Sequence, residues 1–546
     1  MTPEIISKLF PNPLPSIEEI ELKYPSRALQ LGQKVTRVAP SPTGFMHIGG
    51  IYAALVSERV AHQSGGVFFL RIEDTDQKRK VDGATEVICN SLARYGIIAD
   101  EGVDKNGMEY GAYAPYTQSK RKEIYQAYAK KLLENGLAYP CFCAADDLDL
   151  MRKIQEKQSQ RPGYYGKYAH CRHLSDAEIL ENLNAGKEWV LRFKSPGNNE
   201  KRMVIKDLLK GDINMPENDL DIVILKSDGL PTYHFAHAID DHLMGTTHVI
   251  RGDEWVSSVP LHIQLFVALG WKAPKYGHYA PLQKLDNGNK RKLSKRHDPE
   301  ANIVYFWEKG YPEEALIEYL FNLINASFED WRRLNPDKKA FDFPLNFNKI
   351  SNTAGALFDF QKLHSISKEV IAQMSAEQVF EAVLKWADTY RPAFAERMRA
   401  NQAYITHILN IERNIGKKSR KDLIKWEDLE SDISYFFDDT FTRDIASFTD
   451  ELHLTVEEMQ AIATEFKAVF DIHDDKNVWF DKIKAIAGNH GFATEMKVYK
   501  ANPSAYKGNV SDIANVLRIF ITGRTQSPDL HAIMSVMGTE KVKSRL

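Results

Sequence analysis

Arg37-Val-Ala-Pro40-Ser-Pro42-Thr-Gly44-Phe-Met-His47-Ile-Gly-Gly50 is the stretch on which the reading of this chain turns. At its start, Val35, Arg37, Val38 and Ala39 read as a short strand. After it, Gly49 to Ser64 reads as a helix and Val67 to Ile72 as a second, apolar strand. Strand, helix and strand make a βαβ unit, which predicts a right-handed crossover and parallel strands. Pro40 and Pro42 stiffen the turn, while Gly44, Gly49 and Gly50 let a ligand come close to the backbone. The helix then points its positive N-terminus at whatever lies there. Such a loop suits the phosphates of ATP, at the carboxyl end of a strand where α/β sheets hold ligands.

Outward from this unit, residues 1–33 carry Pro11, Pro13, Pro15 and Pro25 around Glu18, Glu19 and Glu21, which predicts an extended lead-in with at most one helical turn. Ile124, Tyr128, Leu132 and Leu133 have helical spacing between Lys120 and Gly136. Tyr139 to His173 is irregular, reads as an insertion, and collects three of the four cysteines; the fourth, Cys89, sits in a helical apolar run and is expected in the core. Strand-like runs return at Trp189–Phe193, Met203–Ile205, Ile222–Leu225, Thr232–His237 and Thr247–Ile250. Beyond Pro299 helical periodicity dominates, with Phe358–Leu363 expected as a connector and Gly416–Lys421 as a basic turn.

The chain has 546 residues, enough for two to four domains. With 43% hydrophobic and 27% charged residues it is an ordinary globular chain, which excludes dominant disorder. Acidic residues number 74 against 71 basic, a formal charge of -3. That balance argues against a general coating of nucleic acid but leaves room for one basic face on one domain. Four cysteines exclude a disulfide framework and favour a reducing compartment. No membrane-spanning run and no signal core are visible, so a cytoplasmic protein is expected.

Five further motifs carry chemistry. Lys290-Arg-Lys292-Leu-Ser294-Lys295-Arg296 places two lysines three apart, able to follow a departing pyrophosphate as its charge grows; alone it would pass for a solvated basic loop. Arg71-Ile-Glu73-Asp74-Thr-Asp76 sets a carboxylate at a strand end, able to accept from an amino group. Pro231-Thr-Tyr233-His-Phe-Ala-His237 offers a hydroxyl and an imidazole. Val249-Ile-Arg251-Gly-Asp-Glu254-Trp255 offers a guanidinium able to grip a carboxylate with two prongs. Cys141-Phe-Cys143 and Cys171-Arg-His173 supply four ligands suited to a closed tetrahedral zinc site, with His170 a weaker candidate.

Taken together, and in this order, the Arg37–Gly50 and Lys292–Arg296 segments resemble the HIGH and KMSKS signatures of class I aminoacyl-tRNA synthetases. The Ala-Pro-Ser-Pro-Thr-Gly form resembles the bacterial glutamyl members. Gly50 stands where HIGH has its second histidine, so only His47 carries over. The resemblance runs from about Arg37 to Leu546. It implies an α/β fold: a Rossmann-type parallel-sheet catalytic domain with an α+β insertion, then all-α stem-contact and anticodon-binding domains. The implied boundaries are an extension at 1–36, catalytic halves at 37–119 and 221–298, an acceptor-end insertion with a zinc site at 120–220, a stem-contact domain at 299–375 and an anticodon-binding domain at 376–546.

The resemblance further implies glutamate–tRNA ligation. His47, Lys292 and Lys295 are the implied catalytic residues. His47, Gly49, Gly50, Glu254, Lys292, Ser294 and Lys295 would bind ATP with Mg2+. Arg37, Ala39, Ser41, Glu73, Tyr233, His237 and Arg251 would bind L-glutamate. Cys141, Cys143, Cys171 and His173 would hold one structural Zn2+. The expected partners are tRNA(Glu), with tRNA(Gln) left open, and the expected state is a monomer away from membranes. A non-catalytic tRNA-binding paralogue is the alternative from another class. A relative that glutamylates a modified tRNA base is disfavoured by the long helical C-terminus, and a glutaminyl enzyme by Ser41-Pro-Thr43.

Overall fold

In the first strand, Val35–Val38, all four residues are buried, and it pairs in parallel with Val67–Leu70 in the register Val35 to Val67 through Val38 to Leu70. This computed structural model describes residues 1–294, 297–346, 349–350, 356–413 and 419–546. The linking helix, Ile48–His62, buries Ile51, Tyr52, Leu55, Val56 and Val60, so the expected βαβ unit is present. A second parallel pair, His248–Gly252 with Lys275–Tyr279, lies on the other side of the first strand. Thr247 joins the pairs: its N–H donates to the Val35 carbonyl at 3.0 Å, and its hydroxyl accepts from the Val35 N–H at 2.8 Å. The Val35–Val38 strand therefore has neighbours on both sides, which opens a crevice at its carboxyl end.

Ala138–Cys141 and Val190–Phe193 of the expected insertion form an antiparallel sheet with Val223–Leu225 just beyond it. Arg202–Asp207 and Gly211–Pro216 form a separate hairpin. Ile205 of that hairpin shares a small core with Val249, Val259 and Tyr276, which ties it to the second parallel pair.

Several expectations are corrected. Thr232–His237 is not a strand. Thr232 caps the helix Tyr233–Leu243, which buries Phe235, Ala236, Ile239 and Leu243 at helical spacing and overrides the β-prone Thr-Tyr-His-Phe. The leading residues form two helices, Pro3–Leu9 and Ile17–Lys23; the acidic run is the first turn of the second, closed by a capping box between Ser16 and Glu19. Arg27, just beyond, pairs with Glu101 at 2.5 Å and lies 4.0 Å over the Tyr113 ring, fastening this segment to the residues that follow the βαβ unit. Phe358–Leu363 is not a connector, because the helix Phe360–Ala372 starts inside it.

Two units share the chain. Met1–Tyr305 and Ile317–Asp359 make the first; Phe306–Leu316 and Phe360–Leu546 make the second. The second is helical around a core that includes Val379, Trp386, Ile462, Leu517 and Phe520. Gly523, with φ +70, stops the helix Val510–Thr522 in the left-handed conformation that glycine adopts without strain. Of the expected basic turn, residues 416–418 lie outside the described residues, and Lys421 pairs with Glu369 at 2.5 Å. Among the described residues no helix is long and apolar enough to cross a membrane.

Candidate active site

A cavity of about 740 Å³ opens at the carboxyl ends of the Val35–Val38 and His248–Gly252 strands. Arg37, Ala39, Ser41, His47, Gly49, Gly50, Glu73, Tyr233, Arg251, Glu254 and Lys292 all line it, which brings together residues from five separated segments.

His47 is the cap of the Ile48–His62 helix. Its Nδ1 accepts the Gly49 N–H at 2.8 Å, so the neutral ring carries its proton on Nε2. A Cβ at Gly49 would lie 3.0 Å from His47 Nδ1, close enough that the imidazole would have to shift. Opposite, Lys292 Nζ lies 3.5 Å from Glu254 Oε1, with both side chains about half exposed. Behind them Asp298 anchors the basic segment: Arg291 donates to it at 2.6 and 2.8 Å and the Ser294 N–H at 2.9 Å. Ser294 does not itself line the cavity, and Lys295 lies outside the described residues.

The floor is a buried ion network. Asp241 takes Arg71 Nη1 at 2.7 Å and Arg37 Nε at 3.3 Å, and pairs with His237 at 2.9 Å. Arg71 also donates to Glu73 at 3.0 Å. One helical position before Asp241, Asp240 accepts from Arg121 Nε at 2.7 Å, Tyr125 at 2.8 Å and Gln118 at 2.9 Å. Burial alone would raise the Asp241 carboxyl, yet Arg37, Arg71 and His237 hold it well below the usual range. Glu73 behaves oppositely: burial raises it, and Arg71 and Arg37 only partly offset that. A carboxylate so placed gains from an incoming cation.

His237 lies behind the cavity. It is fully buried and not among the lining residues; it sits behind Arg37 with Nε2 3.1 Å from the Tyr276 hydroxyl. Burial, against Asp241, lowers it to about 3, so it stays neutral.

Arg251 is held on three sides. Nε donates to His278 at 3.0 Å, Nη2 to the Trp255 carbonyl and to His262 at 3.3 Å, and Nη1 to the Tyr233 hydroxyl at 3.3 Å. Those contacts use four of the five N–H groups of a guanidinium. The expected two-pronged grip thus narrows to one remaining Nη1 proton beside the Tyr233 hydroxyl. The Tyr233 ring packs at a tilt against Trp255, 4.4 Å between centroids, so Trp255 is cavity wall as well as packing.

In the insertion, the Cys141, Cys143 and Cys171 sulfurs converge within 4.8 Å, whereas exposed His173 does not join them. The Tyr164 hydroxyl does, 3.5 Å from the Cys141 sulfur and 3.3 Å from that of Cys143. Hydrogen bonds from Cys143 and then Cys171 drive the Cys141 thiol far below its ordinary range. Cys89, half-buried, donates to the Val103 carbonyl at 3.2 Å, away from this cluster.

The sequence reading missed Asp241, Arg71, Asp207, His262 and His278. Only the four-residue spacing of His237 and Asp241 on one helix could have been noticed.

Residues 33–337 match the family of class I tRNA synthetases (E and Q), catalytic domain, and residues 378–546 match the anticodon binding domain family. The glutamate–tRNA ligase of Clostridium perfringens (strain 13 / Type A) is 47% identical over 539 residues, 98% of either chain. That of Acetivibrio thermocellus is 47% identical over 544 residues, covering 100% of this chain and 98% of the relative. Among solved structures, a glutamate tRNA ligase from Elizabethkingia meningosepticum in complex with its amino acid superposes with a TM-score of 0.73 at 27% identity, covering 94% of this chain and 98% of that one.

Asp240→Ala should strand the buried Arg121 guanidinium and lower unfolding stability by about 3–5 kcal/mol, the range for breaking a buried pair. Urea unfolding measures it; a loss under about 1 kcal/mol would mean the network is relaxed by water.

Proposed function

The chain belongs to the glutamate–tRNA ligases of the class I tRNA synthetase family, and from that premise we propose how its cavity works. The carrying observation is that one cavity holds two buried guanidiniums, Arg37 and Arg251, and one buried carboxylate, Glu73. L-Glutamate has the complementary pattern of two carboxylates and one ammonium. Arg251, Tyr233 and Arg37 take the carboxylates, with Ser41 and the Ala39 backbone beside them, and Glu73 takes the ammonium. ATP lies along the His47–Gly50 helix end with Mg2+, near Glu254 and Lys292.

In the first step a carboxylate oxygen of glutamate attacks the α-phosphorus. The bond to the bridging oxygen breaks and pyrophosphate leaves with its electron pair. His47 Nε2–H and Lys292 donate to the phosphate oxygens as this charge moves; Ser294 and Lys295 belong to the same role by position in the sequence. In the second step the 2'-hydroxyl of the terminal adenosine of tRNA(Glu) attacks the acyl carbon and AMP departs. Residues 120–220 approach the acceptor end, 299–375 the stem and 376–546 the anticodon. The enzyme acts in the cytoplasm as a monomer.

The sulfur cluster of the insertion would hold a structural zinc. A tetrahedral site with zinc–sulfur bonds of about 2.3 Å has sulfur–sulfur edges of about 3.8 Å and sulfur–oxygen edges of about 3.5 Å. Cys143 and Cys171 lie 3.6 Å apart, and Tyr164 sits at 3.3 and 3.5 Å from two sulfurs. We therefore assign Cys141, Cys143, Cys171 and Tyr164, in place of His173, to one structural zinc with no open position.

The function is tested by pyrophosphate exchange into ATP with tRNA present, and by charging of tRNA(Glu). Both should require L-glutamate; a folded protein that does neither would remove the reading. Within that assay, protonating Glu73 abolishes its hold on the ammonium. Because its pKa is raised, the Michaelis constant for glutamate should climb as pH falls while still above the ordinary carboxylate range. Glu73→Gln should weaken glutamate at all pH values and erase this limb; a limb that persists would assign it elsewhere.

Elemental analysis of protein purified without chelator should find about one zinc per chain. Tyr164→Phe should release it to a chelator faster, and His173→Ala should not. The reverse order would restore the histidine.

A further inference from the structure

Arg251 is aimed by a relay that starts in the insertion. His278 is fully buried on the Lys275–Tyr279 strand, and its Nδ1 lies 2.5 Å from Asp207 Oδ2. Asp207, nearly fully buried, ends the first strand of the Arg202–Pro216 hairpin. Its other oxygen, Oδ1, accepts three backbone N–H groups: Leu209 at 2.9 Å, Lys210 at 2.9 Å and His278 at 3.2 Å.

This arrangement fixes the imidazole. Arg251 Nε–H can only donate, so His278 Nε2 must accept, and the single proton of the neutral ring must lie on Nδ1, where it donates to Asp207. Burial lowers the His278 pKa despite Asp207, which agrees with a neutral ring. We infer that Asp207 and His278 are positioning residues for glutamate recognition: through one imidazole tautomer, the insertion hairpin sets the orientation of the Arg251 guanidinium. The inference rests on the assignment of Arg251 to the glutamate carboxylate.

Asp207→Asn tests it with almost no change of shape. Three backbone donors keep the amide oxygen at the Oδ1 position, so the amide NH2 must face His278 Nδ1. The imidazole proton then moves to Nε2 and opposes the Arg251 N–H. The Michaelis constant for glutamate should rise about ten-fold or more, the scale of an unpaired buried polar contact, while that for ATP stays within about two-fold.

His278→Gln supplies the control that a purely structural role would fail. Its amide oxygen can accept from Arg251 without reference to Asp207. In that background, adding Asp207→Asn should change the glutamate constant by less than about two-fold. Arg251→Lys, measured alongside, reports on the premise. If Arg251→Lys impairs glutamate use and Asp207→Asn does not, the relay is wrong and the glutamate site stands. Equal Asp207→Asn effects in both backgrounds would also overturn the relay. If neither Arg251→Lys nor Asp207→Asn affects glutamate use, the site assignment falls and the relay with it.

Discussion

A single carboxylate, that of Asp241, lies at the base of the catalytic cavity without exposure to water and is shared by Arg37, Arg71 and His237. Two guanidiniums this close would repel each other and lose their hydration unless a negative charge lay between them. Its placement on the Tyr233–Leu243 helix lets it reach the central strand through Arg37 and the neighbouring strand end through Arg71. Arg71 in turn carries the connection to Glu73. The residues that would meet the carboxylate and the ammonium of an amino acid are thereby held at fixed separation by groups the substrate never touches. Asp240, beside it, turns the other way and fastens Arg121, which lies 5.0 Å from the Tyr24 ring of the N-terminal segment.

The two arginines of the cavity are organised differently. Arg37 faces a full counter-charge, whereas Arg251 is surrounded by neutral acceptors: two imidazoles, a hydroxyl and a carbonyl. His262 passes the same logic outward. Its Nδ1 accepts from Arg251, so its Nε2 donates to His234 Nδ1 at 2.9 Å. Burial lowers both histidines, and His234 to about 4, which keeps the chain of neutral rings intact at physiological pH. Arg251 therefore keeps its positive charge uncancelled by its immediate neighbours, a suitable state for a receptor of a negative side chain.

Local signals were legible in the sequence, and distant ones were not. The His47 turn could be read because proline, glycine and a helix cap act within a dozen residues, and the family resemblance extended that reading to Glu73, Tyr233 and Arg251. Thr232–His237 misled because β-prone residues begin a helix whose period shows only at Ile239 and Leu243. The cysteine cluster was half legible: the three sulfurs meet, but spacing pointed to His173 while the chain folds the Tyr164 hydroxyl beside them. Asp207 and His278 stand 71 residues apart on different strands, and no local pattern joins them.

The claim that a buried carboxylate organises glutamate recognition is tested most directly by calorimetric titration of L-glutamate into the Asp241→Asn protein, with ATP titrated in parallel. The amide keeps the shape and removes the charge that holds Arg37 and Arg71. The account predicts glutamate affinity reduced by about ten-fold or more with ATP affinity nearly unchanged, on the scale of a lost charged hydrogen bond. Glutamate binding equal to that of the unaltered protein would contradict it.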